Sequence, residues 1–329
     1  MAKGGSLPME KKLKVSVCCV TYNHENYIAD AIESFLMQRT VFPFEILIHD
    51  DASTDRTPMI IREYEKRYPG LIKGVYQKEN QYSRGEKVSH FLLERARGKY
   101  IAICEGDDYW TDPVKLQRQV EYMEAHPDCT LCVHGSAHVN KSGITLKTKT
   151  RPARRSRRFH TEEVIEGGGG LFPTNSFFYP ARFATGRPEY YYQSPVGDYP
   201  LAIYLATQGY VYYMDRLMSA YRVNVEGSWS FNTLNSIDKT EEHFRRIAVM
   251  LKSVNEATAH QYQEAIGRTI QNNHFRLLLM KGSMKEALSS EYRGFFKKLP
   301  VSTKGKVYLQ RYSPASVAYL EKIKAKWSP

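Results

Sequence analysis

The stretch KYIAICEGDDYW, residues 99–110, decides how this chain is read. An apolar run from Tyr100 to Cys104 ends in Glu105, Asp107 and Asp108, and the aromatic pair Tyr109 and Trp110 comes directly after. The run has the length and apolar continuity of a buried strand, and such a strand carries the acids at its end to one edge of a sheet. Working back toward the N-terminus, EKVSHFLLERARG (86–98) reads as a helix stopped by Gly98 and IKGVYQ (72–77) as a strand. STDRTPMIIREYEKRY (53–68) is a helix opened by Ser53 or Thr54, with Pro58 near its first turn. FEILIH (44–49) is a strand, HENYIADAIESFLMQR (24–39) carries apolar residues at helical spacing, and VSVCCVT (15–21) is again strand-like. Strands alternating with helices predict an α/β fold with a mostly parallel central sheet flanked by helices.

On the C-terminal side, DPVKLQRQVEYMEAHP (112–127) reads as a helix and CTLCVHGSAHV (129–139) as a strand. Residues 141–160 form a basic loop or hairpin, GGGGLFPTN (167–175) a mobile loop, and NSFFY (175–179) a short strand. A helix over SPVGDYPLAIYLATQG (194–209) and a strand over VYYMDRLMSAYRV (211–223) come next. From about residue 236 the pattern is helical throughout. The expected organisation is one catalytic domain over 9–235 and a helical C-terminal region over 236–329, with MAKGGS set aside as an expression scar.

In an open α/β sheet, ligands bind beyond the carboxyl ends of the strands. Three such ends carry notable residues: Thr21-Tyr22-Asn23, then Asp50-Asp51-Ala52-Ser53-Thr54-Asp55, then Glu105-Gly106-Asp107-Asp108. Clustered carboxylates repel one another, and a divalent cation relieves that repulsion. Oxygen donors without His or Cys favour Mg2+ or Mn2+, which usually bridge protein carboxylates to substrate phosphates. The plain alternative is a solvated acidic turn; paired acids at two strand ends in one layout favour a site.

Neither G-x-G-x-x-G after the first strand nor a phosphate-loop motif is present, so neither a dinucleotide fold nor a phosphate-loop NTPase is supported. The net charge of +12 admits anionic partners. Much of it is local, in Lys147–Arg158 and in the tail. No apolar run approaches the roughly 20 residues of a membrane span, and the N-terminus lacks a secretory h-region. Five cysteines, including a lone C-x-x-C at Cys129 and Cys132, read as buried thiols in a reducing compartment.

The blocks VSVCCVTYNHENYIADAIESFLMQ, ILIHDDASTDRT and GKYIAICEGDDYWTDPVKLQRQV, in this order, resemble family-2 glycosyltransferases of the GT-A fold. The resemblance is close over residues 13 to about 140 and weaker to about 230. It implies a Rossmann-like GT-A sheet, a nucleoside-diphosphate-sugar donor (a UDP-sugar first), Mn2+ or Mg2+, and transfer with inversion. Thr21, Tyr22 and Asn23 fall on a block bordering the base and ribose. Asp50, Asp51, Ser53 and Asp55 fall on its D-D-x-S-x-D block, with Asp51 the expected base contact. The metal motif, usually D-x-D-D, falls on Glu105, Asp107 and Asp108; Glu replaces the first Asp, so Asp107 and Asp108 are the expected ligands and Glu105 a support.

An inverting transfer needs a base for the acceptor hydroxyl. The family's later acid falls on Asp198, whose plain alternative is a first-turn Asp complementing a helix dipole. In YRVNVEGSWS, Arg222 is expected at the diphosphate, with Ser228 and Trp229 closing over it. Asn224 stands where relatives often carry His. Tyr109 and Trp110 either wall the sugar pocket or pack. Q-x-x-R-W is absent, which implies addition of one sugar at a time. The resemblance further implies a glycan or lipid-linked acceptor and bacterial surface-polysaccharide synthesis.

Two rival readings are a nucleotidyltransferase, which wants a Gly-rich, Lys-containing loop after the first strand that TYNHENY does not supply, and a non-catalytic module binding an anionic surface or nucleic acid. Nucleic acid is set aside because aromatics are not interleaved with the arginines as a stacking platform needs. The expected location is cytoplasmic, peripheral at the inner membrane face. The tail is expected to pack on the catalytic domain, to mediate a homodimer, or to meet an anionic membrane through its basic and aromatic residues.

Overall fold

A computed structural model describes residues 12–225, 233 and 236–313. These form two compact units divided after Val225. Ser228 and Trp229, and the tail beyond Ser313, lie outside the described residues.

The first unit opens with β1 (Val15–Thr21), α1 (Ile28–Leu36), β2 (Phe44–Asp50), α2 (Thr57–Arg67) and β3 (Ile72–Tyr76). A short α3 (His90–Leu93) leads to β4 (Tyr100–Ile103), β5 (Tyr109–Trp110) and α4 (Lys115–Ala125). Then come β6 (Cys129–Val139), β7 (Thr145–Thr150), β8 (Arg157–Phe159) and α5 (Thr161–Gly167). The unit ends with β9 (Phe178–Pro180), α6 (Glu189–Gln193), α7 (Asp198–Thr207) and β10 (Tyr210–Arg222). One sheet runs β3-β2-β1-β4-β9-β6-β10-β5, with β7 beside β6 and β8 beside β10. The pairs β3/β2, β2/β1, β1/β4 and β6/β10 are parallel. Antiparallel β9 joins the two parallel parts. The result is the mostly parallel α/β sheet that the alternation predicted, with a mixed second half.

Apolar alternation explains which face each helix covers. Val15, Val17 and Cys19 of β1 point with Ile46 and Ile48 of β2 into one core, closed by Ile28, Ile32 and Phe35 of α1, Ile61 of α2 and Leu116, Val120 and Met123 of α4. On the other face Phe91 stacks on the buried His49 at 5.1 Å. Thr161 and Thr130 hydroxyls donate to the Ala206 and Leu205 carbonyls, tying α5 and β6 to α7.

The expected helix over 86–98 is reduced to the four residues of α3. Long-range polar contacts override its periodicity. Ser16 Oγ accepts from the Gly98 N–H at 2.9 Å, and the buried Glu45 carboxylate accepts from the Arg97 N–H at 2.9 Å and its guanidinium at 3.0 and 2.7 Å. Burial alone would raise the Glu45 carboxyl, but these Arg97 and Ser16 hydrogen bonds hold it below its usual value. Gly98 fits here because a Cβ would lie 2.4 Å from the Ser16 nitrogen.

The arginine-rich segment links β7, paired with β6, to β8, paired with β10, and three of its arginines have partners. Arg151 pairs with Asp215 at 2.7 and 2.6 Å, Arg157 pairs with Glu163, and Arg158 lies 4.0 Å over Tyr210. All five cysteines are buried free thiols.

The second unit is helical: α8 (Ile237–Ala257), α9 (Gln263–Met280), α10 (Met284–Ala287), α11 (Arg293–Lys298) and α12 (Val301–Tyr312). Phe275, Leu278, Ala287 and Tyr292 form one buried cluster in it, flanked by Phe295, Phe296 and Leu299. Among the described residues, no helix is long and apolar enough to cross a membrane.

Candidate active site

Thr21 and Asp50 are register partners, so the ends of β1 and β2 lie side by side. The loops beyond them are laced together. Asn23, in the left-handed region at φ 54, donates its N–H to Ser53 Oγ at 2.9 Å and accepts from the Thr54 N–H at 2.8 Å. Asp55 accepts from the Glu25 and Thr57 N–H groups at 3.0 and 2.9 Å. His24 N–H donates to Thr57 Oγ1 at 2.8 Å. Tyr22 projects from this knot, 43% exposed.

The two acids of the β2 end have different surroundings. Both Asp51 oxygens accept backbone amides, from Gln81 at 2.8 Å and Tyr82 at 3.0 Å, so this carboxylate fixes the turn after β3. Asp50 accepts the Ser53 N–H at 3.2 Å, and its Oδ1 is buried with no partner among the described residues. Burial pushes the Asp50 carboxyl above its usual value against the hydrogen bonds from the Ser53 side chain and amide.

The turn after β4 lies against the end of β1. Gly106 N–H donates to the Val20 carbonyl at 2.9 Å, and a Cβ on Gly106 would stand 2.6 Å from Thr21 Oγ1. Only glycine allows this approach, which joins the acids of the turn to the cleft over Thr21. Thr21 Oγ1 is itself buried without a partner among the described residues.

Within the turn, Asp108 is buried and held: it accepts from Asn175 Nδ2 at 2.8 Å and from the Arg222 N–H at 2.9 Å. Burial first, then the Asp107 and Glu105 charges, push its carboxyl up. Glu105 Oε2 is buried with no partner among the described residues. Burial raises the Glu105 carboxyl to about 8, with Asp107 next and Asp198 adding to it. Asp107 and Asp198 therefore both act on Glu105, although Asp198 is 91 positions beyond Asp107 in the chain.

Asp198 opens α7 and is half-buried. It accepts from the Tyr199 N–H at 2.7 Å and from Thr174 Oγ1 at 3.3 Å. Burial raises its carboxyl; these hydrogen bonds and the Lys87 charge oppose the rise. Lys87 also donates to the Ser194 and Val196 carbonyls at 2.5 and 3.0 Å, fixing the turn that leads into α7.

Arg222 ends β10, where its backbone holds Asp108. Its guanidinium pairs with Asp30 and lies between the Tyr27 and Tyr109 rings, 4.8 and 5.1 Å from their centroids. Trp110 packs rather than walls a pocket: it is 1% exposed, 4.8 Å from the Phe35 ring, and its indole N–H donates to the Asn175 carbonyl. Asn224 is exposed in the left-handed region at φ 59.

Sequence reasoning missed Lys87, Thr174 and Asn175. The segment read as a mobile loop ends in a 3-10 turn, Thr174–Ser176, whose Asn175 and Ser176 are fully buried. Pro173 directly before that turn was the available signal.

The carboxylates suit a hard divalent cation. Glu105 has an unmatched oxygen and the acids repel, while no closed cage of three His, Cys, Asp or Glu side chains occurs among the described residues. One or two carboxylates, completed by substrate phosphates and water, is the usual Mg2+ or Mn2+ arrangement, so the donor set fits.

The sheet, its flanking helices and the acidic cleft at the strand ends define a GT-A-like α/β fold. Residues 16–183 match the sequence profile of Glycosyl transferase family 2, and the chain belongs to that family. An uncharacterized protein of Mycobacterium tuberculosis (strain ATCC 25618 / H37Rv) is 36% identical over 219 residues, 65% of this chain and 60% of that protein. The putative teichuronic acid biosynthesis glycosyltransferase TuaG of Bacillus subtilis (strain 168) is 40% identical over 132 residues, 40% of this chain and 50% of TuaG. The chain thus spans about half to three-fifths of the length of these curated relatives.

Among solved structures, S. aureus TarS 1–349 in complex with UDP-GlcNAc superimposes with a TM-score of 0.58 at 18% identity, over 91% of this chain and 81% of that one. The mannosyltransferase PcManGT from Pyrobaculum calidifontis, in complex with GDP-Man and Mn2+, does so with 0.51 at 18% identity, over 92% and 86%. At these identities the likeness establishes the fold.

Proposed function

We propose that this protein transfers one sugar from a nucleoside-diphosphate sugar, a UDP-sugar in the first instance, to a hydroxyl of a glycan or lipid-linked acceptor, with inversion at the anomeric carbon. The observation that carries this reading is the β4 turn packed against the end of β1, where the buried Glu105 has an unmatched oxygen and feels the charges of Asp107 and Asp198. Buried acids such as Glu105 and Asp108, raised by burial and by a neighbouring charge, are costly to the fold, and a bound cation and diphosphate would relieve that cost.

In this reading Thr21, Tyr22, Asn23, Asp50 and Asp51 form the nucleotide side. Thr21 Oγ1 and Asp50 Oδ1, both buried without partners among the described residues, offer the open hydrogen-bonding capacity, while Asp51 shapes the wall through the turn it holds. Asp107 and Glu105 would hold the cation. Asp108, engaged by Asn175 and Arg222, supports the turn from behind and shares the cation's charge. A bound divalent ion supplies Lewis-acid stabilisation of the leaving diphosphate.

Asp198 takes the acceptor hydroxyl proton as that oxygen bonds to C1. The C1–O bond to the diphosphate breaks and its electron pair leaves on the diphosphate. A carboxyl raised by burial is a better base than an ordinary one. Arg222 faces the diphosphate side, where Asp30 holds its guanidinium.

A screen of nucleotide-sugars for Mn2+-supported donor hydrolysis identifies the donor. Asp198→Asn then separates chemistry from binding: turnover should fall about 100-fold or more, with UDP affinity, measured calorimetrically in Mn2+, within twofold of wild type. Loss of UDP binding with unchanged turnover per bound donor would overturn the base assignment. Nucleoside triphosphates binding while diphosphates and their sugars do not would overturn the whole reading.

A further inference from the structure

We propose that α12 of the second unit is an interfacial helix that docks flat on an anionic lipid bilayer. Val301, Gly305, Tyr308, Leu309 and Tyr312 fall within about 100° of arc on a helix of 3.6 residues per turn. Val301 is 83% exposed, Tyr312 73%, Tyr308 48% and Leu309 42%, while Val307 on the opposite side is buried. A Cβ at Gly305 would meet nothing within 4 Å, so the middle of the stripe is open too. Exposed apolar residues scattered singly are ordinary; a contiguous stripe along one helix marks a contact surface.

Charge selects the occupant. Between Arg293 and Ser313 the chain has six basic residues (Arg293, Lys297, Lys298, Lys304, Lys306 and Arg311) and no acid. By contrast α8 carries four acids and four bases, and Arg245 pairs with Glu242 there. A second copy of so basic a face would repel the first, whereas an anionic surface attracts it. Lys304 and Arg311 flank one edge of the stripe and Lys306 the other, the layout of an amphipathic helix lying at headgroup depth. Tyr308 and Tyr312 are amphipathic residues suited to that depth. This inference stands on the second unit alone and does not depend on the sugar-transfer reading.

Flotation of the full chain, without nucleotide or metal, on vesicles of phosphatidylglycerol and phosphatidylcholine against phosphatidylcholine alone tests it. Binding to the anionic vesicles should exceed neutral binding at least tenfold and fall as salt rises. Lys304→Gln and Arg311→Gln should each weaken it about fivefold. The exposed pair Val301→Glu and Leu309→Glu should weaken it further with melting temperature unchanged. Equal partition onto both vesicles, or binding unmoved by these variants, overturns the proposal. A dimer seen by light scattering without lipid, and abolished by Val301→Glu and Leu309→Glu, also overturns it and assigns the face to a second copy.

Discussion

Two acidic strand ends, those of β2 and β4, lie on either side of β1 and behave in opposite ways. Beyond β2, Asp51 and Asp55 are matched to backbone amides, and Asp55 is held below its usual value: burial would raise it, but the Thr57 and Glu25 hydrogen bonds win. Beyond β4, Glu105 and Asp108 are pushed up by burial and by the charge of Asp107 between them. The first end uses its acids to build a loop. The second holds acids whose repulsion the protein alone does not relieve. Similar-looking runs of Asp therefore divide into structure and site by whether their oxygens have partners, and Asp50, with its unmatched Oδ1, is the one acid of the first end that sides with the second.

The sharpest way to break this contrast is Asp107→Asn. If the β4 end is a site, transfer should fall about 1,000-fold, the several kcal/mol a metal contact contributes to the barrier. The metal-free protein should melt no lower than wild type, and higher at pH 8, because one charge beside Glu105 and Asp108 is gone. Activity and thermal melts on the same preparation check both halves. A variant that loses stability in step with activity would place Asp107 with the structural acids.

Lys87→Met probes the link to Asp198. Lys87 grips the turn entering α7 and its charge opposes the rise of the Asp198 carboxyl. Its loss should lower kcat about tenfold through misplacement and move the acidic limb of the kcat/KM profile to higher pH, since Asp198 would hold its proton longer. Lys87→Arg should restore the limb. A purely structural lysine would lower kcat or stability without shifting the profile.

The strand ends were legible because each is local: an apolar run ending directly in its acids. Their supports were not. Asn175 meets Asp108 across 67 positions, the Arg222 amide meets it across 114, and Arg222 reaches Asp30 across 192. No period or spacing signals such pairs. The shortened α3 shows the same limit, because the residues that override its helical pattern, Ser16 and Glu45, belong to β1 and β2. Residues 141–160 read as a basic loop or hairpin in sequence, yet Arg151 and Arg158 have partners on β10 and Arg157 has one on α5.

The pH response of stability sharpens the contrast further. Glu105, raised to about 8, binds its proton more tightly in the folded state than in the unfolded chain. Its contribution is therefore present below the ordinary Glu value and is lost as pH rises toward 8. The metal-free protein should lose up to a few kcal/mol between about pH 5 and pH 8. Mn2+ should raise the melting temperature more at pH 8 than at pH 5. Glu105→Gln should flatten the slope, and calorimetric melts in EDTA and in Mn2+ give all three curves.

The smallest expected effect belongs to the other strand end, and it has the opposite sign. Asp55 is held below its usual value, so its contribution is present above the unfolded Asp pKa and is lost as pH falls through the lower folded one. Asp55→Ala removes two backbone amide contacts, from Glu25 and Thr57, and should cost about 1–2 kcal/mol at pH 7, a few degrees in melting temperature for a unit of this size. That deficit should begin to close only below about pH 4, where the unfolded chain takes up its proton, and vanish as pH falls through the lower folded value. Turnover of the folded variant should stay near wild type, because Asp55 fastens the loop without facing the acid cluster. Paired melts of Asp55→Ala and Glu105→Gln from about pH 2 to pH 8 read both ends at once: below about pH 4 the first difference from wild type should shrink toward acid, and above it the second should grow toward base. Parallel curves would mean that the two strand ends differ in sequence only, and that the unmatched oxygens beyond β4 do not mark a binding site.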